Sequence, residues 1–387
     1  MAGYELIGEE EKKAIMELFD KGFILHRYGF NAMRHDTWKV AEFEKAFAKK
    51  INARHAQAVT SGTAALKVAL RALNIKPGDE VITSCFTFVA TIEAIIDAGA
   101  VPVICDIDET LNIDAADVES KITDRTRAIV PIHMLGAAAD MDRIMKISSK
   151  HKIPVLEDAC QALGATHRGK YLGTIGQMGA FSFDFGKVIT TGEGGMIATN
   201  DEELYRLSSE YADHGHQNKS NLPRNEDTRR IGGFNYRMNE LQGALGLVQL
   251  SRLDFIIDQQ RKNKEKIKNG LRKTPNIVFR KFVDEKGEAG DTFVFFLKNE
   301  EDTKKFFDKL TEAKIGTKIL QESYKWHFAG TWDHMLKAYP QYKNPKDLWQ
   351  KSAKILNRSI AIPIFVKMTD ERINYIIKTI DKIARSL

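Results

Sequence analysis

Residues 179–199 read GAFSFDFGKVITTGEGGMIAT. The stretch opens as an apolar strand, breaks at Lys187, turns through Gly192, Gly194 and Gly195, and resumes as a second apolar strand. Both runs are apolar throughout rather than at alternate positions, which suits strands covered on both faces. Similar runs recur upstream at AQAVT (56–60), EVITS (80–84), VPVIC (101–105), AIVPI (128–132) and PVLED (154–158). Helix-like stretches such as TAALKVALRAL (63–73) and VATIEAIIDA (89–98) lie between them. This alternation predicts an α/β fold, a mostly parallel sheet between helices.

Downstream the pattern changes. Residues 251–275 read as a long charged helix ending near Gly270, followed by the strand candidates NIVFR and TFVFFL and by amphipathic helices. In the last helix Thr369 is placed to cap, and Ile373, Ile376, Ile377, Ile380 and Ile383 repeat at helical spacing. The reading is a large domain over 1–250 and a smaller α+β domain over 251–387. The polar stretch HQNKSNLPRNEDTRR (216–230) reads as a long loop, a frequent carrier of function.

Composition narrows the function classes. The 387 residues are 43% hydrophobic and 28% charged, as in ordinary globular enzymes. The start, MAGYELIGEEEKK, lacks the basic flank and apolar core of a signal peptide. The most apolar region, Phe86 to Ile107, is interrupted by Glu93, Asp97 and Asp106, so no membrane span is expected. Cys85, Cys105 and Cys160 are odd in number, each within an apolar segment, which fits reduced thiols in the cytoplasm. The net charge of +6 is spread among acids, as in DKLTEAK, with no basic stripe interleaved with aromatics, so nucleic acid is not an expected partner. No cysteine pair has metal-ligand spacing, and no metal is expected.

Four segments carry chemistry together. Ser61-Gly62-Thr63-Ala64 stands between a strand and a helix, where bare backbone amides cradle phosphate; a plain serine cap is the simpler alternative. Phe86-Thr87-Phe88 ends the EVITS strand, at the edge where open parallel sheets bind ligands, and an aromatic there can stack on a flat ring. Asp158, ending PVLED, is costly in a buried strand unless it meets a positive partner such as a pyridinium nitrogen, or else caps the next helix. Lys187 follows a buried strand and precedes glycines, a setting in which a lysine can lose its proton and form an imine. In chain order these supply a phosphate cradle, a ring stacker, a ring-nitrogen partner and an imine lysine.

At these residues the chain resembles the DegT/DnrJ/StrS sugar aminotransferases. The likeness rests on FEKAFAKK, TSGTAALKVALRAL, PGDEVITSCFTFVAT, PIHMLGAAADMD, VLEDACQALGA, GAFSFDFGKVITTGEGGMIAT, DHG and GFNYRMNELQGALGLVQL. It implies the fold type I architecture, pyridoxal 5'-phosphate as cofactor, and a homodimer with shared active sites. It further implies Lys187 as the imine lysine and Asp158 at the ring nitrogen. Phe88 would stack on the ring, with Gln161 near its hydroxyl. Gly62, Thr63 and Ser182 would hold the phosphate, and Asn235 would reach it from the neighbouring subunit. The family also contains dehydratases with histidine in place of the lysine, and Lys187 argues against that branch.

Two segments depart from the family pattern: ILHRYGFNAMRHDTWKVAEFE (24–44), where a short glycine-containing turn is usual, and WHFAGTWDHM (326–335). The implied reaction moves an amino group from an amino acid, glutamate, to a keto sugar or sugar aldehyde for cell-surface polysaccharide or lipopolysaccharide. A sugar acid such as an oxidised 3-deoxy-octulosonate would suit Arg34, His35, His214, Arg229, Arg230 and Arg237 as contacts, and solvated loop charges are the plain alternative. A nucleotide-linked 3- or 4-keto-6-deoxyhexose is the alternative acceptor. A dehydratase or a non-catalytic sensor ranks below both.

Overall fold

Strands β1 (His55–Val59), β2 (Glu80–Ser84), β3 (Val101–Cys105), β4 (Thr126–Val130) and β5 (Leu156–Asp158) fall on the apolar runs, within two residues at each end. A small hairpin, β6 (Thr166–His167) with β7 (Lys170–Tyr171), precedes β8 (Met178–Ser182) and β9 (Gly195–Thr199). The computed structural model describes residues 3–22, 24–219, 222–317 and 324–387.

Across the described residues the large sheet runs β3-β2-β4-β5-β8-β9-β1. Parallel bridges Ile129–Val155 and Ile132–Asp158 join β4 to β5. Only β9 runs antiparallel to its neighbours, pairing with both β1 and β8. The sheet is therefore mostly parallel, and every residue of β2, β5, β8 and β9 is buried, the physical reason their sequences do not alternate. The helices Gly62–Ala72 and Val89–Asp97 follow β1 and β2 as the sequence pattern predicts. The carboxyl ends of β2, β5 and β8 thus share one edge with the start of helix Gly62–Ala72.

A second, antiparallel sheet comprises β10 (Val278–Phe279), β11 (Thr292–Phe296) and β12 (Ser359–Pro363), in that order. Its middle strand alternates between two cores. Phe293 and Phe295 pack with Ile267, Phe306, Ile373 and Ile380 from the helices around this sheet. Val294 and Phe296 face a core shared with Phe86, Val89, Phe328 and Trp332. Strand β12 carried no strong signal in the sequence and is an addition. The helix Leu253–Leu271 spans both parts, placing Leu253, Ile256 and Ile257 in the large sheet's core and Ile267 and Leu271 in the second. In the final helix, Asp370–Arg385, the Thr369 hydroxyl accepts the Arg372 N–H at 3.2 Å, the cap read from the sequence.

Candidate active site

The helix Gly62–Ala72 begins where β1 ends, and the Ser61 side chain accepts the Ala64 N–H at 3.1 Å. The serine cap is therefore real. It does not exclude a ligand, because the Gly62 and Thr63 N–H groups have no acceptor among the described residues. A Cβ on Gly62 would stand 2.8 Å from Ser182 Cβ and 3.0 Å from Cys160 Sγ, and one on Gly195 would stand 2.2 Å from Ser61 O. Glycine at these two positions lets the helix start, β8 and β9 close up while the amides remain bare, the arrangement that phosphate takes.

Asp158 ends β5 and is buried. Its Oδ2 accepts from Thr91 Oγ1 at 2.7 Å, and that hydroxyl is paired at 2.7 Å with Thr87 Oγ1. Its Oδ1 accepts the Cys160 N–H at 3.1 Å. No lysine, arginine or histidine forms an ion pair with Asp158 among the described residues, so a buried carboxylate stands without a cation. The adjacent Glu157 is the opposite case. Its Oε1 accepts from Ile175 and Gly176 N–H, both at 2.6 Å, and Oε2 from Gly173 N–H at 2.8 Å. His133 Nδ1 accepts the Ala139 N–H, so Nε2 carries the proton and donates to Glu157 at 2.9 Å. Two neighbouring carboxylates on opposite faces of β5 thus have different standing, one saturated and one open to a cation.

Two adjoining cavities meet here. One, about 370 Å³, is lined by Gly62, Thr63, Phe88, Asp158, Gln161 and Ser182. The other, about 290 Å³, is bordered by Met134, Leu135, Leu163, Val188 and Asp291. Lys187, Cys160, Gln161, Ser182, Asp184 and His327 line both. Lys187 has no hydrogen bond or ion pair to its Nζ among the described residues, while its backbone is held by Asp184 O and by Gly3 N–H. Burial pushes the Cys160 thiol well above its usual range and keeps it protonated, despite nearby Lys187. An open amine, a buried carboxylate without a cation, a bare helix start and an aromatic at the rim match the amine-reactive ring, ring nitrogen, phosphate and flat face of pyridoxal phosphate.

The C-terminal segment forms the mouth. Thr87 N–H donates to His327 O at 2.9 Å and Ala329 N–H to Cys85 O at 2.8 Å, so this segment runs along the end of β2. Trp326 lies parallel to Phe88, 6° between planes and 6.2 Å between centroids. Phe88 is 39% exposed and Trp326 60%. Reading the sequence residue by residue missed Thr91, His327 and Trp326. The Thr87–Thr91 spacing, one helical turn at the end of a strand, was a usable signal. The other two lay inside WHFAGTWDHM, unmarked by local pattern.

The residues read as substrate contacts sit apart from this chain's own two cavities. None of Arg34, His35, His214, Arg229, Arg230 and Arg237 lines either cavity. Arg34 is 1% exposed and pairs with buried Glu240 at 3.0 Å. Its other donors go to Gly29 O and His26 O, and its guanidinium lies 3.9 Å from the Trp38 ring centre. Arg34 thus pins its own segment to the helix Glu240–Ser251, its guanidinium spent on partners within this chain. Arg230 chelates Glu210 and reaches Glu203 at 3.0 Å. Arg237 and Arg224 both hold Asp213; burial opposes its ionisation, but the two guanidinia outweigh it and keep the carboxyl below its usual range. Arg229 donates to His216 Nε2 at 2.8 Å and is exposed, as are His35 and His214. Asn235 is exposed too, its Oδ1 accepting Arg237 N–H at 3.3 Å.

The profile of the DegT/DnrJ/EryC1/StrS aminotransferase family matches residues 7–381. GDP-perosamine synthase of Caulobacter vibrioides is 46% identical over 56% of this chain, a match that spans 57% of that protein. The spore coat polysaccharide biosynthesis protein SpsC of Bacillus subtilis is 35% identical over 98% of this chain and 96% of its own. The aminotransferase from Psychrobacter cryohalolentis superposes with a TM-score of 0.86 at 27% identity, over 98% of each chain. With its mostly parallel sheet and its lysine, aspartate and helix start at one edge, the chain belongs to the DegT/DnrJ/EryC1/StrS family of sugar aminotransferases, fold type I enzymes that depend on pyridoxal 5'-phosphate.

Proposed function

We propose that this chain transfers an amino group from glutamate to the carbonyl carbon of a keto sugar or sugar aldehyde, with Lys187 and Asp158 as its catalytic residues. The observation that carries the reading is the buried Asp158 carboxylate without a cation, in the cavity that Lys187 also lines. In this reading the amides of Gly62 and Thr63 and the Ser182 hydroxyl hold the phosphate. Phe88 stacks on the ring, and Gln161 meets the ring hydroxyl. When bound, pyridoxal phosphate supplies an electron-accepting ring. Asp158 holds the ring nitrogen protonated, backed by the Thr91 hydroxyl. Lys187 would hold the cofactor through its Nζ, and the same amine would move the proton at the reacting carbon. His327 and Trp326 narrow the entrance.

Asn235 is exposed and lies outside both cavities, which suits a residue that completes the site of a second copy. The enzyme is then a homodimer with shared sites. Mixing Lys187→Ala and Asn235→Ala subunits restores activity in the heterodimer; no recovery, with subunit exchange demonstrated, counts against sharing. No helix among the described residues is long and apolar enough to cross a membrane. The proposed place of work is the cytoplasm, and the likeness to SpsC, a spore coat polysaccharide biosynthesis protein, supports a cell-surface sugar as product.

With Arg34 committed to Glu240, Arg229 remains as the exposed guanidinium that could meet a carboxylated sugar. A nucleotide-linked 3- or 4-keto-6-deoxyhexose is the second reading, favoured by the GDP-perosamine synthase relative and by the exposed face of Trp326, on which a base can stack. Absorbance of the cofactor-loaded protein tests the reaction class. Glutamate alone converts the lysine-bound form of the cofactor to its amine form, and a panel of sugar acids and nucleotide-linked keto sugars restores it selectively. Release of ammonia or water without that conversion points to another reaction of the same cofactor.

A further inference from the structure

The turn Met134–Gly136 borders the cavity beside Lys187 and carries a strained residue. Leu135 has φ 55° and ψ 43°, the left-handed region that leucine rarely adopts. Such a conformation persists only where its surroundings hold it. From the large sheet's side, Asn112 Oδ1 accepts the Met134 N–H at 2.9 Å and Asn112 Nδ2 donates to Ala138 O at 2.9 Å. From the second sheet's side, Ala289 N–H donates to Gly136 O at 2.8 Å. A Cβ on Gly136 would stand 2.8 Å from both Ala289 Cβ and Asp291 Oδ1, so the approach is close.

Arg280, which follows β10 and is 4% exposed, completes the grip. Its Nε donates to Thr110 O at 2.7 Å and its Nη2 to Met134 O at 2.9 Å, while Nη1 reaches Leu135 O at 3.5 Å. A buried guanidinium spent on main-chain carbonyls is an expensive way to fill space. Burial pushes it down to about 10, and Glu288 and Asp291 nearby favour its charged form. One amide of the turn it holds has a consequence: Leu135 N–H donates to Gln161 Oε1 at 3.3 Å. A backbone N–H can only donate, so the side-chain oxygen of Gln161 is committed to the turn. Its NH2 group is the end left for the cavity.

We propose that Arg280 is a positioning residue for the cofactor ring: it fixes the Met134–Gly136 turn so that Leu135 holds Gln161 with its NH2 presented to the ring hydroxyl. The inference rests on the reading of Gln161 as the ring-hydroxyl contact. A donor there stabilises the ionised ring oxygen, and its loss raises the pH at which the bound cofactor's visible band changes.

The test measures that pH midpoint on the cofactor-loaded protein for wild type, Gln161→Ala, Arg280→Met, Arg280→Lys and the Gln161→Ala/Arg280→Met double variant, with thermal midpoints alongside. Gln161→Ala raises the midpoint by about half a pH unit or more. Arg280→Met raises it in the same direction, Arg280→Lys raises it less, and the double variant matches Gln161→Ala alone. Should Arg280→Met not fold, Arg280→Lys carries the comparison. A wild-type midpoint in the Arg280 variants, with only the thermal midpoint lowered, overturns the proposal while leaving Gln161 at the ring. Additive shifts in the double variant also overturn it, since Arg280 would then act by another route. No shift in Gln161→Ala removes the reading of Gln161 and the proposal with it.

Discussion

The strand ends around Lys187 and the arginine-bearing segments at 26–38 and 213–237 both carry buried charge, yet their charges face different things. Around Lys187 the polar groups converge on space: Lys187 has no partner for its Nζ among the described residues, and Asp158 has hydroxyl and amide donors but no cation. In the arginine-rich segments the charges face one another. Arg34 closes on Glu240, Arg224 and Arg237 on Asp213, and Arg230 on Glu210. Residue type is a poor guide to function in charged segments, because a guanidinium fork binds an internal carboxylate as readily as a substrate's. What distinguishes a site is a charge that the fold leaves unmatched.

Substitution separates the two regions. The largest effect is on Lys187. Lys187→Ala lowers transamination by at least about a thousandfold, the scale of a lost anchoring amine and proton carrier. Its thermal midpoint stays near wild type, because no hydrogen bond or ion pair of its Nζ is lost. Residual turnover near the wild-type value, with an unchanged cofactor spectrum, would place the chemistry elsewhere.

Next come the two carboxylates of β5. Asp158→Asn lowers turnover by about a hundredfold or more through loss of charge stabilisation, with little change in stability. Glu157→Gln does the reverse. Three backbone N–H groups and His133 depend on its two oxygens, and an amide leaves two of these four donors facing an NH2, at a cost of about 2–3 kcal/mol. Denaturant midpoints beside turnover numbers read both; equal behaviour of the two variants breaks the distinction.

Arg34→Met comes third. It strands the buried Glu240 carboxylate and costs about 3 kcal/mol, toward the lower end for a broken buried pair because the segment lies near the surface. The acceptor KM is unchanged. A raised KM with intact stability would return Arg34 to the substrate. The smallest effect belongs to Arg229, an exposed residue whose partner is His216. Arg229→Ala leaves stability and the glutamate half-reaction as they are and raises KM for an anionic acceptor several-fold. An unchanged KM makes it a solvated loop charge.

The legibility of the molecule follows from the same distinction. The large sheet was readable because strands buried on both faces must be apolar at every position, and its runs stand out against charged helices. Strand β12, SIAIP, is buried as well, but it is one short run between helices, without the repetition that marked the others. Lys187 and Asp158 stood out as candidates because glycines and strand ends frame them. The role of Glu157 was not readable, since the partners of a strand side chain depend on the loop folded beneath it, here 173–176. Arg280 shows no local signal at all: its three carbonyl partners lie about 145 to 170 residues away along the chain.

The most direct test of the central claim is chemical capture. The purified protein is loaded with pyridoxal phosphate, treated with borohydride, digested, and the modified peptide identified by mass. The account predicts the phosphopyridoxyl group on Lys187 alone, within the peptide that contains FDFGK, and its loss when glutamate is added before the borohydride. Label spread over surface lysines, or label on Lys187 that glutamate does not prevent, would contradict it.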